Sequence, residues 1–343
     1  MATLKSILPK AFSKKRLTIW GKEYKNEIAI ALLIVVIFFV SQFLSPVFLT
    51  PNNLLNLLRQ TAYTAIAAIG MYFVILIGGI DLSIGATVQI VGMVSIIMMV
   101  RGVPVGVMIP VVLAVGLTVG LVNGLIVTYG RLQPFVVTLV TKQIMQGIVL
   151  VTTGGASISG DVPDAFMKIG AGYIGFVPVP VVVMAILVAA AFFVMKKTTF
   201  GRRLYITGSN QTAAHYSGTN VRRIKVMAYI LCALFATVSG LLSVARIGAF
   251  QPTTTHGGAT GMELNAIAAV VVGGASLAGG KGSVIGTLLG ALLYGILSNL
   301  FPLIGVTSYI QQLIQGFIIL MAVLISSKGK LFGKKRKEVG KDG

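Results

Sequence analysis

Long apolar runs, cut by short clusters of glycine, proline and charge, set the rhythm of this sequence. Residues 28–58, 60–80, 82–100, 102–130 and 169–195 contain no Asp, Glu, Lys or Arg. A helix that crosses a bilayer needs roughly 20 apolar residues, and runs of about this size recur along the chain. Their interruptions predict ten crossings, at 28–45, 61–78, 84–100, 105–127, 135–152, 178–195, 226–247, 262–278, 284–300 and 306–325. The expected fold is therefore all-α and polytopic. Ser45-Pro46 and Thr50-Pro51 break the chain after the first span, and residues 50–60 read as a short amphipathic segment near the interface. Pro104 and Pro134 mark helix entries, where a missing N–H costs little.

Charge narrows the class further. Lys and Arg number 28 against 8 Asp and Glu, for a formal charge of +20. Seven of the basic residues lie in 1–27, seven in 196–225 and seven in 328–343. They flank the apolar runs and gather on no folded face, which is the positive-inside pattern and argues against a nucleic-acid partner. With ten crossings both termini share a side with loops 128–133, 196–225 and 279–283, and that side holds 23 of the 28 basic residues. Asp161 and Asp164 fall on the other side. The expectation is a basic segment 1–27, a membrane domain 28–325 and a basic tail 326–343, with both ends cytoplasmic. Charged residues make up 10% of the chain, against about 25% in soluble proteins. Cys232 stands alone and His215 and His256 lie in different loops, so no disulfide or ligand set is expected. The basic N-terminus lacks a small-residue cleavage site after a short apolar stretch, and 28–45 reads as a retained span.

Small residues let membrane helices approach closely. Gly116/Gly120, Gly120/Gly124, Gly286/Gly290 and Gly257/Gly261 fit packing or turns, and carry no information about a substrate. Gly78-Gly79-Ile80-Asp81-Leu82-Ser83 is different, because Asp81 is the one acid between Glu27 and Asp161. A lone carboxylate at membrane depth must be satisfied by its surroundings. The glycines free the backbone to break, and Asp81 is expected to cap a helix beginning at Leu82. That feature fits either a broken helix beside a transport path or a structural cap.

Glu263 opens a second apolar run after the polar stretch Gln251–Gly258, where a carboxylate favours a helix N-terminus. No partner acid, base or metal is evident near it, so a structural or gating role is expected. Gly279-Gly280-Lys281-Gly282-Ser283 departs from the phosphate-binding pattern: Ala275 stands at the first glycine position and Gly282 follows Lys281. No ATP site is expected on this chain. In loop 196–225, Ser209 or Asn210 is placed to cap a short helix that Gly218 would end. Such a stiff element suits either a lever for a soluble partner or a basic anchor. The Gly/Ser-rich loop 152–172 fits an extracellular contact or a plain connection.

Taken together these stretches resemble the permease subunits of bacterial ATP-binding-cassette importers for monosaccharides, the ribose, xylose, arabinose and galactose group. The likeness rests on Gly78–Gly85, Asn123-Gly124, Pro134–Leu139, the Gly208…Ala213-Ala214…Ser217-Gly218 loop, Gln251-Pro252 and above all Glu263–Ser283, and it covers roughly 45–325. It implies the larger importer fold shared with the vitamin B12 permease. It also implies a second copy of the chain, a cytoplasmic ATPase carrying ATP and Mg, and an extracytoplasmic sugar-binding protein; no cofactor belongs to the chain itself. By the same likeness Gly208, Asn210, Ala213, Ala214, Ser217 and Gly218 form the ATPase-coupling element. Gly78, Gly79, Asp81 and Ser83, with Glu263, Asn265, Gly273, Gly274, Gly279, Gly280 and Lys281, would surround the pathway or its gate. Asn265 stands where many relatives carry Asp, and Thr253–Gly258 departs from the family pattern. Related permeases move nucleosides, branched-chain amino acids or signalling furanoses. An ion-coupled transporter would need intramembrane ionisable groups, for which Asp81 is the candidate. An embedded enzyme would need convergent acids, histidines or a metal cluster.

Overall fold

The computed structural model describes residues 25–252 and 261–307, together with 309–314, 316, 317, 320, 321 and 324. The stretch Thr253–Gly258 with His256, most of the N-terminal basic segment and the tail lie outside these residues, as does part of the last expected span. Twelve helices with fully described ranges follow one another: α1 (Lys25–Leu44), α2 (Pro51–Leu76), α3 (Ile84–Val100), α4 (Val105–Tyr129), α5 (Pro134–Thr153), α6 (Asp164–Ala171), α7 (Val179–Lys197), α8 (Thr199–Ser209), α9 (Gln211–Tyr216), α10 (Val221–Ile247), α11 (Met262–Val272) and α12 (Val284–Leu303), and the described residues from 309 to 324 are helical as well. Two antiparallel pairs of two-residue strands complete the described fold. β1 (Ile158–Ser159) pairs with β4 (Ala249–Phe250), and β2 (Tyr173–Ile174) with β3 (Val177–Pro178).

Six of these helices, α1, α4, α5, α7, α10 and α12, are long and apolar enough to cross a membrane. Two expectations need correction. Residues 50–60 are not a separate interfacial segment: Pro51 starts α2 at its first turn, and the helix runs unbroken for 26 residues. The expected span 262–278 is helical only over 11 residues, and ends at Gly273-Gly274. At 1.5 Å per residue that is about 16 Å, half of a hydrocarbon core of about 30 Å.

α2 is the central post. From Thr61 to Leu76 nearly every side chain is buried, against α7, α8, α10, α11 and α12. A helix encased by protein need not be lipophilic, which is why Ala, Gly, Thr and Tyr serve here. Gly70 lets α10 approach so closely that a Cβ would sit 2.8 Å from Phe235 Cβ. The Gly116–Gly120–Gly124 stripe of α4 does the same on the other flank of α10. A Cβ at Gly120 would lie 2.7 Å from Ile230 Cα, and one at Gly124 2.9 Å from Val226 Cα. Gly286 and Gly290 of α12 press against the backbone of Gly273 and Ala269 at the end of α11. α1 packs on α12 and leaves Leu32, Val36, Phe39 and Phe43 exposed, as a lipid-facing helix does.

One end of the bundle collects Lys196, Lys197, Arg202, Arg203, Arg222 and Arg223, around the end of α7, α8 and the start of α10. We call it the basic end. At the opposite end, loop 152–172 is more ordered than its composition suggests. β1 ties it to β4, Phe166 of α6 is fully buried, and Gly170 packs against the backbone of Leu242 and Arg246. Arg59 is 7% exposed there and stacks on the Tyr173 ring at 5.0 Å.

Candidate translocation path and coupling junction

The basic end holds a three-way backbone junction. α2 stops in a Schellman turn: Gly78 N–H donates to Ile75 O and Gly79 N–H to Val74 O, both at 2.9 Å. Gly78 takes φ +77°, the left-handed conformation this turn requires. The next orphan carbonyl, Leu76 O, accepts from Gly280 N–H at 2.8 Å. Gly279 and Gly280 both have positive φ, so the loop 273–283 can turn its amide directly onto the helix end. Gly208, at the end of α8, completes the junction; a Cβ there would overlap Leu76 O and stand 2.6 Å from Gly280 N. Side chains reinforce it. Tyr72 OH and Tyr205 OH are 2.7 Å apart, and Tyr205 OH donates to Gly282 O at 2.8 Å.

α9 leaves this junction directly. Asn210 Oδ1 accepts from Ala213 N–H at 3.0 Å and so starts the six-residue helix. Ala214 is buried beneath it, Thr219 N–H closes on Ala214 O, and Gly218 turns the chain at φ +78°. Ala213, Ser217 and Gly218 are exposed, and Tyr216 is 84% exposed. Beside α9 lies a cleft of about 800 Å³, lined by Gln211, His215, Tyr216, Asn220, Arg222 and Lys225 among others. Of the residues assigned to coupling, Gly208 is locked in the junction and the rest sit on or under this exposed turn. Among the residues assigned to the path, Gly78, Gly279 and Gly280 meet Gly208 there. Lys281 lies in the same loop, whose ends are joined by Ser276 N–H donating to Lys281 O at 3.0 Å. Gly273 and Gly274 serve instead to end α11 against α12.

Asp81 is 1% exposed between α2 and α3. It does not cap a helix starting at Leu82. α3 starts at Ile84, and Asp81 Oδ1 accepts from Ser83 N–H at 2.9 Å and Ser83 OH at 2.6 Å. The turn wins because Ser83 presents both donors two residues away, closing a local ring. The network continues inward: Asn123 Nδ2 donates to Ser83 Oγ at 2.8 Å, and Thr141 OH donates to Asn123 Oδ1 at 2.7 Å. Thr138 Oγ1 accepts from Leu82 N–H at 3.1 Å. The break between α2 and α3 is thus stitched to α4 and α5 by uncharged groups. A Cβ at Gly79 would lie 2.7 Å from the hydroxyl of buried Tyr229, so a larger residue there must shift that ring.

Glu263 has the partner that the sequence did not reveal. Its Oε1 forms an ion pair with Lys142 Nζ of α5, with the carboxylate side chain 4% and the lysine 22% exposed. Glu263 Oε2 is buried with no hydrogen-bond partner among the described residues. Asn265, two residues on and so on a different face of α11, is half-buried. Lys142 interrupts the apolar stretch 135–152 as Asp81 interrupts its own, and that shared signal was legible. Tyr72, Tyr205, Asn123 and Thr141 carried no such signal, because polar residues of these types are scattered through the membrane helices.

Comparison with known proteins agrees with this organisation. The family described as "Branched-chain amino acid transport system / permease component" matches residues 53–323. The chain belongs to this permease family. The ribose import permease of Escherichia coli (strain K12) is 43% identical over 312 residues, covering 90% of this chain and 95% of the relative. The ribose import permease of Bacillus subtilis (strain 168) is 42% identical, covering 92% and 96%. The D-allose transport system permease of Escherichia coli (strain K12) is 36% identical, covering 81% and 84%. No solved structure matches the chain. The permease is therefore a multi-pass membrane protein of the monosaccharide importer group. Its sealed Asp81 network and its basic-end junction both lie within the matched residues.

Proposed function

We propose that this permease forms the translocation path for ribose, or a closely related monosaccharide, in an ATP-driven importer of the bacterial cytoplasmic membrane. The observation that carries the substrate is the 43% identity to a ribose import permease over nearly the full length of both chains. The importer is a dimer of this chain, with the larger importer fold. The basic end faces the cytoplasm together with both termini, as the distribution of Lys and Arg favours. A separate ATPase, carrying ATP and Mg, docks on α9 and the cleft beside it, while a sugar-loaded binding protein meets the opposite end. The permease itself performs no covalent chemistry. Motion at α9 reaches the loop 273–283 and the end of α2 through Gly208, a connection with no flexible side chain in it. A rigid coupling of this kind lets ATP binding and hydrolysis bias which side of the path is open.

The test is reconstitution of the permease with its ATPase and binding protein in nanodiscs. ATPase activity and sugar uptake are then measured with ribose, allose, xylose, galactose and leucine. Stimulation by ribose-loaded binding protein above all others is expected. Stimulation by allose or leucine alone would replace the substrate, and uptake driven by an ion gradient without ATPase would overturn the mechanism.

A further inference from the structure

The Lys142–Glu263 pair joins a lysine that is 22% exposed to a buried carboxylate, one oxygen of which has no hydrogen-bond partner among the described residues. Lys142 lies about 12 Å along α5 from Pro134 and about 16 Å from Thr153, at 1.5 Å per residue, which puts it near the middle of the helix. Glu263 sits in the first turn of α11, a half-length helix whose N-terminus therefore also ends near mid-depth. Helices that stop inside the membrane characteristically present their termini to a solute path. Charged side chains at this depth face protein or a water-filled opening, because lipid does not solvate them. Thr138, Lys142 and Gln146 follow one another at intervals of four on α5, so they share one face. Lys142 and Gln146 are both half-exposed on it.

The spare bonding capacity of the pair is complementary to a particular ligand. An ammonium group has three N–H donors, and Glu263 leaves Oε2 free among the described residues. A vicinal diol offers both complements on adjacent carbons, one hydroxyl donating to Oε2 and the next accepting from Nζ. The pair is net neutral, so it exerts no long-range pull that would trap the solute. We propose that Lys142 and Glu263, with Gln146 one turn along α5, form a transient binding site for the hydroxyls of a neutral sugar midway along the path. The inference rests on the proposed function and adds the residues that read the substrate.

The experiment uses the full reconstituted complex and compares uptake of ribose and 2-deoxyribose. Glu263→Gln is expected to lower ribose uptake about tenfold, the ordinary consequence of losing one charge-assisted hydrogen bond. The preference for ribose over 2-deoxyribose should shrink. The double variant Lys142→Met/Glu263→Gln removes the unpaired charge and should assemble normally, yet still lack the preference. If the double variant regains wild-type ribose uptake and preference, the pair is structural and the proposal fails. As a second measurement, Gln146→Cys is labelled with a small water-soluble thiol reagent, since the native Cys232 is buried. Labelling slowed several-fold by ribose supports the site; a thiol unreactive in every nucleotide state overturns it. A wild-type complex that takes up no ribose would overturn the proposed function first, and the inference with it.

Discussion

Asp81 and Glu263 are each a single acid set into a long apolar stretch beside a helix break, and the fold treats them in opposite ways. Asp81 is closed off by its own turn, with Ser83, Asn123 and Thr141 relaying its hydrogen bonds between α3, α4 and α5. Glu263 reaches across to the charge of Lys142 and keeps one oxygen without a partner among the described residues. A short-range ring of hydroxyls and an amide satisfies a carboxylate locally and fixes the backbone around it. A charge partner on another helix satisfies it only in part, and leaves a buried oxygen to be satisfied by something else. The first arrangement suits a pin, the second a contact for a passing solute.

The sealed region should be the more sensitive to any change. Gly208→Val drives a branched side chain into Leu76 O and Gly280 N. Overpacking against backbone of this kind costs about 3 kcal/mol, so loss of folded protein on size-exclusion chromatography is expected. A stable, transport-competent Gly208→Val would break the view of the junction as rigid. Asp81→Ala leaves Ser83 N–H and OH without their acceptor in a buried site, at about 2–3 kcal/mol. Thermal unfolding in detergent should show a clearly lower midpoint, and Asp81→Asn, which keeps an acceptor oxygen, should recover most of it. Equal loss from both variants would mean that charge, and not the turn, is what the site requires.

Glu263→Gln should cost less stability than Asp81→Ala, because Gln keeps an acceptor oxygen for Lys142, which is itself partly exposed. Removing both members of the pair should be milder than removing either, and a double-mutant cycle by thermal unfolding measures that coupling. If Glu263→Gln proved as destabilising as Asp81→Ala, the contrast between pin and contact would disappear. The smallest effect is expected from Thr141→Val, which removes one donor at the far end of the relay and leaves Asn123 bonded to Ser83. A loss of about 1 kcal/mol or less, with transport retained, would show that the relay weakens with distance from Asp81.

Local chemistry explains what could be read before the fold was known. Apolar runs with proline entries located α1, α3, α4, α5, α7, α10 and α12 within a few residues, since a membrane helix satisfies its own backbone wherever it packs. Ser209 or Asn210, with Gly218, marked α9 because capping bonds reach only two or three residues, and the fold uses Asn210. The same locality misled at residues 50–60, where α2 continues through a polar first turn, and at 262–278, where the two glycines stop α11 early. It misled again at Asp81, where two similar local rings competed and the tighter one formed.

The sequence by itself therefore determined that this chain is a multi-span helical membrane protein with its positive charge gathered between particular spans, and it located the family motifs. Only the tertiary structure decided what those motifs meet. Gly208, Leu76 and Gly280 form one junction, and Lys142 pairs with Glu263 across 121 positions of chain. Hydropathy and capping act over a few residues and are written in order along the chain. Ion pairs and backbone contacts between helices depend on which faces the small residues allow together, and that is settled only when the helices pack.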